Sequence, residues 1–234
     1  MNYKTRAISL TYIKHGGSSI ISKIFTEEKG LQTFIVKGIR SKNSKKKLSY
    51  FEPLKLLNLD ASFVKKKSFQ NIVDITIAKN FDSAKVKTYK NLLAFFLAEL
   101  NAKILQEEEQ NTALFGFIWN ATIKLYSSKK PHPNFPIKYL LNLSKFLGFY
   151  PSLTEINKPF FNLESGSFST ENTKETSLDQ QNSNYLRDLL KNTMPAIPKK
   201  NKSKLLKKIM QYYKLHHYNL DNIKSHLVVE TLSS

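Results

Sequence analysis

The sequence predicts an α+β chain in two parts, a small five-stranded β-barrel followed by an all-helical domain. Two observations carry that expectation. Through about the first 80 residues, short apolar runs with strand-like alternation lie between Gly-, Pro- and Lys-rich breaks. Beyond Phe81 the apolar positions recur every three or four residues, as on the buried stripe of a helix. A third observation makes the strands antiparallel: the first part holds no helix long enough for a parallel crossover. The expected division is 1–80 and 81–234.

The first strand is "RAISLTYIK", where alternation places Ile8, Leu10 and Tyr12 on one face and Ala7, Ser9 and Thr11 on the other. "HGGSS" is a turn whose glycines can take positive φ. "IISKIFTEEKG" supplies the second strand, ending at Gly30, and "LQTFIVKG" the third, with Phe34 and Val36 on one side. "FEPLKLLNLDASFV" and "NIVDITIAKNF" are the fourth and fifth, separated by Lys65, Lys66 and Lys67. Pro53 has no N–H for a ladder, so it belongs at a strand start or on an edge. This count is that of the OB-fold, in which a long connection joins the third and fourth strands. Here that connection is "GIRSKNSKKKLSY", a basic loop on the barrel rim.

In "VKTYKNLLAFFLAELNAKIL" the residues Tyr89, Leu92, Leu93, Phe96, Leu97, Leu100 and Ile104 form a wide helical stripe, broken by "EEEQN". A second helix is expected over Thr112–Tyr126 with Asn111 as its cap. After the linker "KKPHPNFP", a third helix, "IKYLLNLSKFL", stops at Gly148. The stretch from Ser165 to Asn184 is polar and nearly free of aliphatics, which predicts a mobile loop. Three further helices are expected near Tyr185–Lys191, Lys202–His216 and Asp221–Thr231, the last capped by Asp221.

Charge is the strongest functional signal. Thirty-seven Lys and Arg against eighteen Asp and Glu give a net +19, which points to a polyanionic partner. Lysine-rich codon usage would scatter such residues, whereas here they cluster. The absence of cysteine excludes disulfides and thiolate metal sites. The start lacks the apolar core of a secretion signal, and no apolar run approaches the roughly 20 residues needed to cross a bilayer. These features point to a soluble cytoplasmic protein with no membrane role. The five histidines form no metal-binding spacing, and adjacent His216 and His217 read as solvated helix-end residues. No phosphate-cradling or nucleophile motif is present, so neither catalysis, metal nor cofactor is expected.

Six of the eleven residues from Lys37 to Lys47 are basic and none is acidic. Lys37, Arg40, Lys42, Lys45, Lys46 and Lys47 suit phosphate neutralisation, with Ser41, Asn43 and Ser44 as hydrogen-bond donors. Lys65, Lys66 and Lys67 join them as nucleic-acid candidates. About five engaged cations predict a slope of log affinity against log salt of about −3.5 on single strands. Phe25, Phe34, Tyr50 and Phe51 flank this surface; most of these rings are expected to be barrel core, and Phe34 and Tyr50 are the candidates for stacking bases. A second basic cluster, six of the ten residues from Lys199 to Lys208, serves equally as a helix's polar face or as a DNA contact. No helix carries base-reading residues at groove spacing, so binding without sequence preference is expected.

The ordered landmarks "AISLTYIKHGGSSIISKIFTEEKG", "FIVKGIRSKNSKKKLSYFEPLKLLNL", "FFLAELNAKILQEEEQNTALFGFI", "LLNLSKFLGFYPSL", "FFNLESGSF" and "LHHYNLDNIKSHLVVETL" resemble the RecO family of bacterial recombination mediators. The resemblance implies an OB-fold and a helical domain. It implies a non-catalytic, nucleoid-associated protein that binds single- and double-stranded DNA and anneals complementary strands. With RecR, such a protein helps load RecA onto DNA coated by single-stranded-DNA-binding protein. The family's basic barrel residues would correspond to Lys37, Arg40 and their lysine neighbours. Its capture of that coating protein's acidic C-terminal tail would fall on the helical domain, with Lys138, Leu141, Lys145 and Phe146 as candidate pocket residues. One departure stands out: many members carry a four-cysteine zinc module after the LGF-x-P stretch, and this chain has no thiol there, so the segment is either held by packing of Phe160, Phe161 and Phe168 or partly loose. The competing readings are an RNA-binding OB protein of translation, a basic scaffold for acidic peptides and, more weakly, a nuclease.

Overall fold

The computed structural model describes residues 1–41, 46–81, 88–107, 109–173, 175–221, 223 and 225. Five strands form the barrel: β1 (Asn2–His15), β2 (Ser19–Thr26), β3 (Gly30–Val36), β4 (Leu56–Ser62) and β5 (Gln70–Ile77). They close in the order β1-β2-β3-β5-β4. All pairs are antiparallel except β3 with β5, where Phe34 lies opposite Gln70 and Ile35 opposite Asn71. This is the OB-fold arrangement. A 3₁₀ turn over Leu48–Phe51 leads into β4, and Pro53 sits in the turn between them.

The expected alternation of β1 fails at one residue. The pairing of β1 with β2 passes from Ser9 opposite Ile24 to Thr11 opposite Lys23, which leaves Leu10 as a bulge. Its extra residue reverses the phase of the strand. Ala7 and Tyr12, assigned to opposite faces by alternation, both pack into the barrel core with Ile24, Phe34 and Leu59. Ile8 and Leu10 are buried outside that cluster, and α1 packs against β1.

Helices α1 (Thr88–Ile104) and α2 (Thr112–Ser127) follow. The Asn111 side chain accepts the Leu114 N–H at 2.9 Å, the expected cap. The Phe115 ring of α2 lies 5.6 Å from that of Phe25 on β2. By packing, the chain divides into units 1–129 and 130–234, so the first two helices go with the barrel. The reason is tertiary: the apolar stripe of α1 and the aromatic start of α2 bury against strands.

The second unit comprises α3 (Phe135–Phe146), the hairpin β6 (Phe160–Asn162) and β7 (Ser167–Ser169), α4 (Gln180–Leu190) and α5 (Lys199–Leu215). Gly148 follows α3 at φ +83°, as its helix-ending role requires. The polar stretch 165–184, expected as a loop, instead supplies β7 and the first residues of α4. Its short polar side chains bond backbone N–H groups both within the stretch and on the neighbouring strand β6. The Ser183 hydroxyl accepts the Phe161 N–H at 2.9 Å, and Asp179 caps α4 by accepting the Asn182 N–H at 2.8 Å.

Aromatic rings pack with buried leucines such as Leu163 and Leu178 around this hairpin. Phe161 and Phe168 are buried with ring centroids 5.2 Å apart, and Phe161 also meets Tyr212 of α5. The Tyr212 hydroxyl donates to the Phe149 carbonyl, and that of Tyr213 to the Leu140 carbonyl at 2.6 Å. Burial pushes both phenols well above their ordinary range. His216, expected to be solvated, stacks on Phe149 at 4.9 Å with the rings 6° from parallel. The helix expected over Asp221–Thr231 lies almost wholly outside the described residues. Among the described residues no helix is long and apolar enough to cross a membrane.

Candidate nucleic-acid interface

Directly opposed residues share a face of a sheet, so the pairing defines the outer surface of the barrel. One row runs Ile13–Ile21–Ile35 across β1, β2 and β3, and the next runs Thr11–Lys23–Thr33. Ile13 is 63% exposed, and Ile21, Lys23, Thr33 and Ile35 are partly exposed. OB-folds commonly bind their ligands on this face, between the loops joining strands one to two and four to five. The sequence reading missed this row, because its phase cannot be read until the bulge at Leu10 is known.

The basic connection starts beside the first of those loops. The Arg40 backbone N–H donates to the Ser18 carbonyl at 3.0 Å, and its guanidinium reaches the Gly16 carbonyl at 3.5 Å. Lys37, Arg40 and Lys47 are exposed, whereas Lys42 and Lys45 lie outside the described residues. Lys46 folds back onto the barrel, donating to the Ile72 carbonyl at 2.7 Å. Desolvation lowers its pKa, and the nearby Asp74 carboxylate partly opposes that shift.

Lys65, Lys66 and Lys67 occupy the β4–β5 loop and are exposed. With Gln32, Thr33, Gln70 and Glu107 they line a polar recess of ≈ 240 Å³ beside β3. Glu107 arrives from the α1–α2 connection. It bridges to Leu31, and its carboxylate accepts the Thr33 hydroxyl at 2.9 Å. Gly30 permits that docking: at φ +64° it has no room for a Cβ, which would lie 2.2 Å from the Glu109 carbonyl oxygen.

Of the two stacking candidates, one is buried and the other partly exposed. Phe34 is fully buried in the barrel core and offers no ring face to a base, and Phe25 and Phe51 are also buried. A barrel this small needs its strand phenylalanines as filling. Tyr50 is partly exposed and packs against the same core.

The second basic cluster is largely committed within its own unit. Lys202 is buried, Lys204 donates to Asp179 at 2.6 Å, and Lys208 donates to the Glu175 carbonyl at 3.2 Å and to Gln211 at 3.0 Å. Of the candidate acidic-tail residues, Leu141 is buried in the helical core and so cannot floor an open slot. Lys138 and Phe146 are partly exposed, and the Lys145 ammonium lies 4.4 Å from the centre of the Tyr150 ring. A separate open groove of ≈ 570 Å³ runs along α5, with Met210, Leu215 and Leu220 between Lys207 and Lys214. Lys214 also pairs with Asp221 at 2.6 Å on that rim. Among the described residues no three metal-ligating side chains converge.

Comparison with known proteins bears on both units. Residues 1–81 match the family model "Recombination protein O N terminal", and residues 88–226 match "Recombination protein O C terminal". The chain is 31% identical over 229 residues to a DNA repair protein RecO of Flavobacterium johnsoniae, covering 96% of this chain and 94% of the relative. It is 30% identical over 238 residues to the protein of the same description from Flavobacterium psychrophilum, covering 99% and 98%. A third such relative, from Christiangramia forsetii, is 28% identical over 218 residues, with 91% of each chain covered.

Proposed function

The chain belongs to the RecO family of DNA repair proteins, and on that premise we propose that its barrel gathers DNA strands through their backbones. In this reading the protein binds single- and double-stranded DNA without strong sequence preference and anneals complementary strands. With RecR, it helps load RecA onto DNA coated by single-stranded-DNA-binding protein. The contacts are Lys37, Arg40, Lys47 and the Lys65–Lys67 loop, bordering the β1–β2–β3 face, and the sequence adds Lys42 and Lys45.

One observation carries the proposal. The Lys65, Lys66 and Lys67 side chains are exposed and, among the described residues, have no hydrogen-bond or ion-pair partner, although three adjacent cations repel one another. Such an array is stabilised when phosphates neutralise it, and the accompanying counterion release makes binding salt-dependent and blind to sequence. The burial of Phe25, Phe34 and Phe51 favours backbone contact over base stacking and leaves base edges available for pairing. Duplex formation drives annealing downhill, so the reading assigns no catalytic residue. Capture of an acidic, apolar-ended tail belongs on the helical unit. The α5 groove, where Met210, Leu215 and Leu220 lie with Lys207 and the ion-paired Lys214 and Asp221, is the better candidate there than the surroundings of Lys138 and Lys145.

The test uses strands precoated with the cognate single-stranded-DNA-binding protein, comparing the natural chain with a Lys65→Gln, Lys66→Gln, Lys67→Gln triple variant. If all three engage phosphate, the salt slope falls by about 2 and affinity at about 0.1 M salt falls about a hundredfold. Annealing should slow in step. Unchanged affinity and slope would refute the loop's role, and a strong preference for structured RNA would move the protein to a different class.

A further inference from the structure

The β4–β5 loop owes its shape to one side chain outside it. Gln70, the first residue of β5, is 3% exposed. Its carboxamide oxygen accepts the Val64 N–H at 2.8 Å, and its nitrogen donates to the Val64 carbonyl at 3.1 Å and to the Lys67 carbonyl at 2.9 Å. Both amide hydrogens and the oxygen are thus spent on the backbone flanking the lysines. Within the loop the accompanying backbone bond is Lys67 N–H to the Val64 carbonyl, at 3.0 Å.

A residue buried at a barrel strand's first position would serve the core equally well as an aliphatic. A buried carboxamide is tolerated only when its polar atoms are paired, and here every pairing made is to the lysine loop. We infer that Gln70 is a positioning residue for DNA binding, holding the β4–β5 loop closed so that Lys65, Lys66 and Lys67 meet the phosphate backbone as a ready-formed array. The inference rests on the reading of that loop as a backbone contact. Without the clamp, mutual repulsion opens the loop, and each lysine must be ordered at the moment of binding. Gln70 touches no DNA in this account. It acts through the lysines alone.

Fluorescence anisotropy with a single-stranded oligonucleotide, titrated with salt, tests this on four proteins: the natural chain, Gln70→Ala, the Lys65–Lys67 triple Gln variant, and the two combined. Gln70→Ala should weaken binding about 5- to 30-fold, the cost of ordering one loop residue. It should speed amide exchange from Val64 to Ser68 while β1–β3 stay protected. In the triple-variant background it should change affinity less than about twofold, because the groups it positions are gone. Natural affinity for Gln70→Ala, or a full effect persisting without the lysines, overturns the inference while leaving the loop's role intact. A triple variant that binds normally overturns the loop's role instead. Gln70→Asn, which keeps the amide but shortens its reach by one methylene, gives the same readout if the alanine variant does not fold.

Discussion

Two lysine-rich stretches of similar density meet opposite environments. In the β4–β5 loop, Lys65, Lys66 and Lys67 project from a turn whose backbone at Val64 and Lys67 is bonded by Gln70 beneath them. In α5, the lysines of 199–208 belong to a helix whose other face buries Leu205, Leu206, Ile209, Tyr212 and Tyr213. There, Lys204 and Lys208 are bonded to Asp179 and to the Glu175 carbonyl. Charge density alone therefore does not mark an interface. What separates the two is whether the lysine side chains already have hydrogen-bond or ion-pair partners within the protein. The loop should be read by its effect on DNA affinity, and the helix by its effect on stability.

The largest expected effect tests the helix side. Phe161 is fully buried against Phe168 and Tyr212, so Phe161→Ala should cost about 3–5 kcal/mol in urea unfolding. DNA affinity per folded molecule should stay within about twofold. A parallel loss of affinity would mean that the helical unit shares in backbone binding, and the contrast would fail.

Two glycines sharpen the comparison at a smaller scale. Gly166 has φ +64°, and a Cβ there would lie 2.7 Å from the Tyr212 hydroxyl, the group that donates to the Phe149 carbonyl. Gly166→Ala should lower stability by about 1–3 kcal/mol and leave DNA binding alone. Gly30→Ala has its clash with the Glu109 backbone, so it should loosen the connection that brings Glu107 to the lysine recess. Its signature is a changed DNA affinity as well as a lowered midpoint, measured on the same samples.

Much of this organisation was legible in the sequence, and the gaps have physical causes. Strand number and the site of the long basic connection follow from alternation and from lysine and glycine breaks, which are local. The bulge at Leu10 is not local: it is decided by register with β2, and with it goes the exposed row Ile13–Ile21–Ile35. Phe34, a candidate for base stacking in the sequence, fills the core: alternation names two faces without saying which is interior. The hairpin and α4 start within 165–184 depend on bonds such as Ser183 to Phe161 and on rings from α5, which hydropathy does not register. Gln70 is one glutamine beside a run of lysines, and only its burial and its three bonds distinguish it.

The smallest effect concerns the ion pair that holds a lysine inward. Burial works to raise the Asp179 pKa, but the Lys204 ammonium and the N–H groups of Asn182 outweigh it and hold the carboxyl below its ordinary value. A depressed carboxylate contributes stability that is fully present above its unfolded pKa, near 4, and is lost as pH falls through the lower folded value. The Lys204 and Asp179 side chains are 55% and 43% exposed, so solvent screening keeps the pair to no more than about 1 kcal/mol. Lys204→Ala should therefore lower the urea midpoint slightly at pH 7, and the gap from the natural chain should narrow as pH drops from about 5 towards 2. DNA affinity at pH 7 should be unaltered. A gap that persists at low pH would show that Lys204 acts through packing of its stem, and a loss of affinity would place this helix, with its lysines, beside the loop as a true DNA contact.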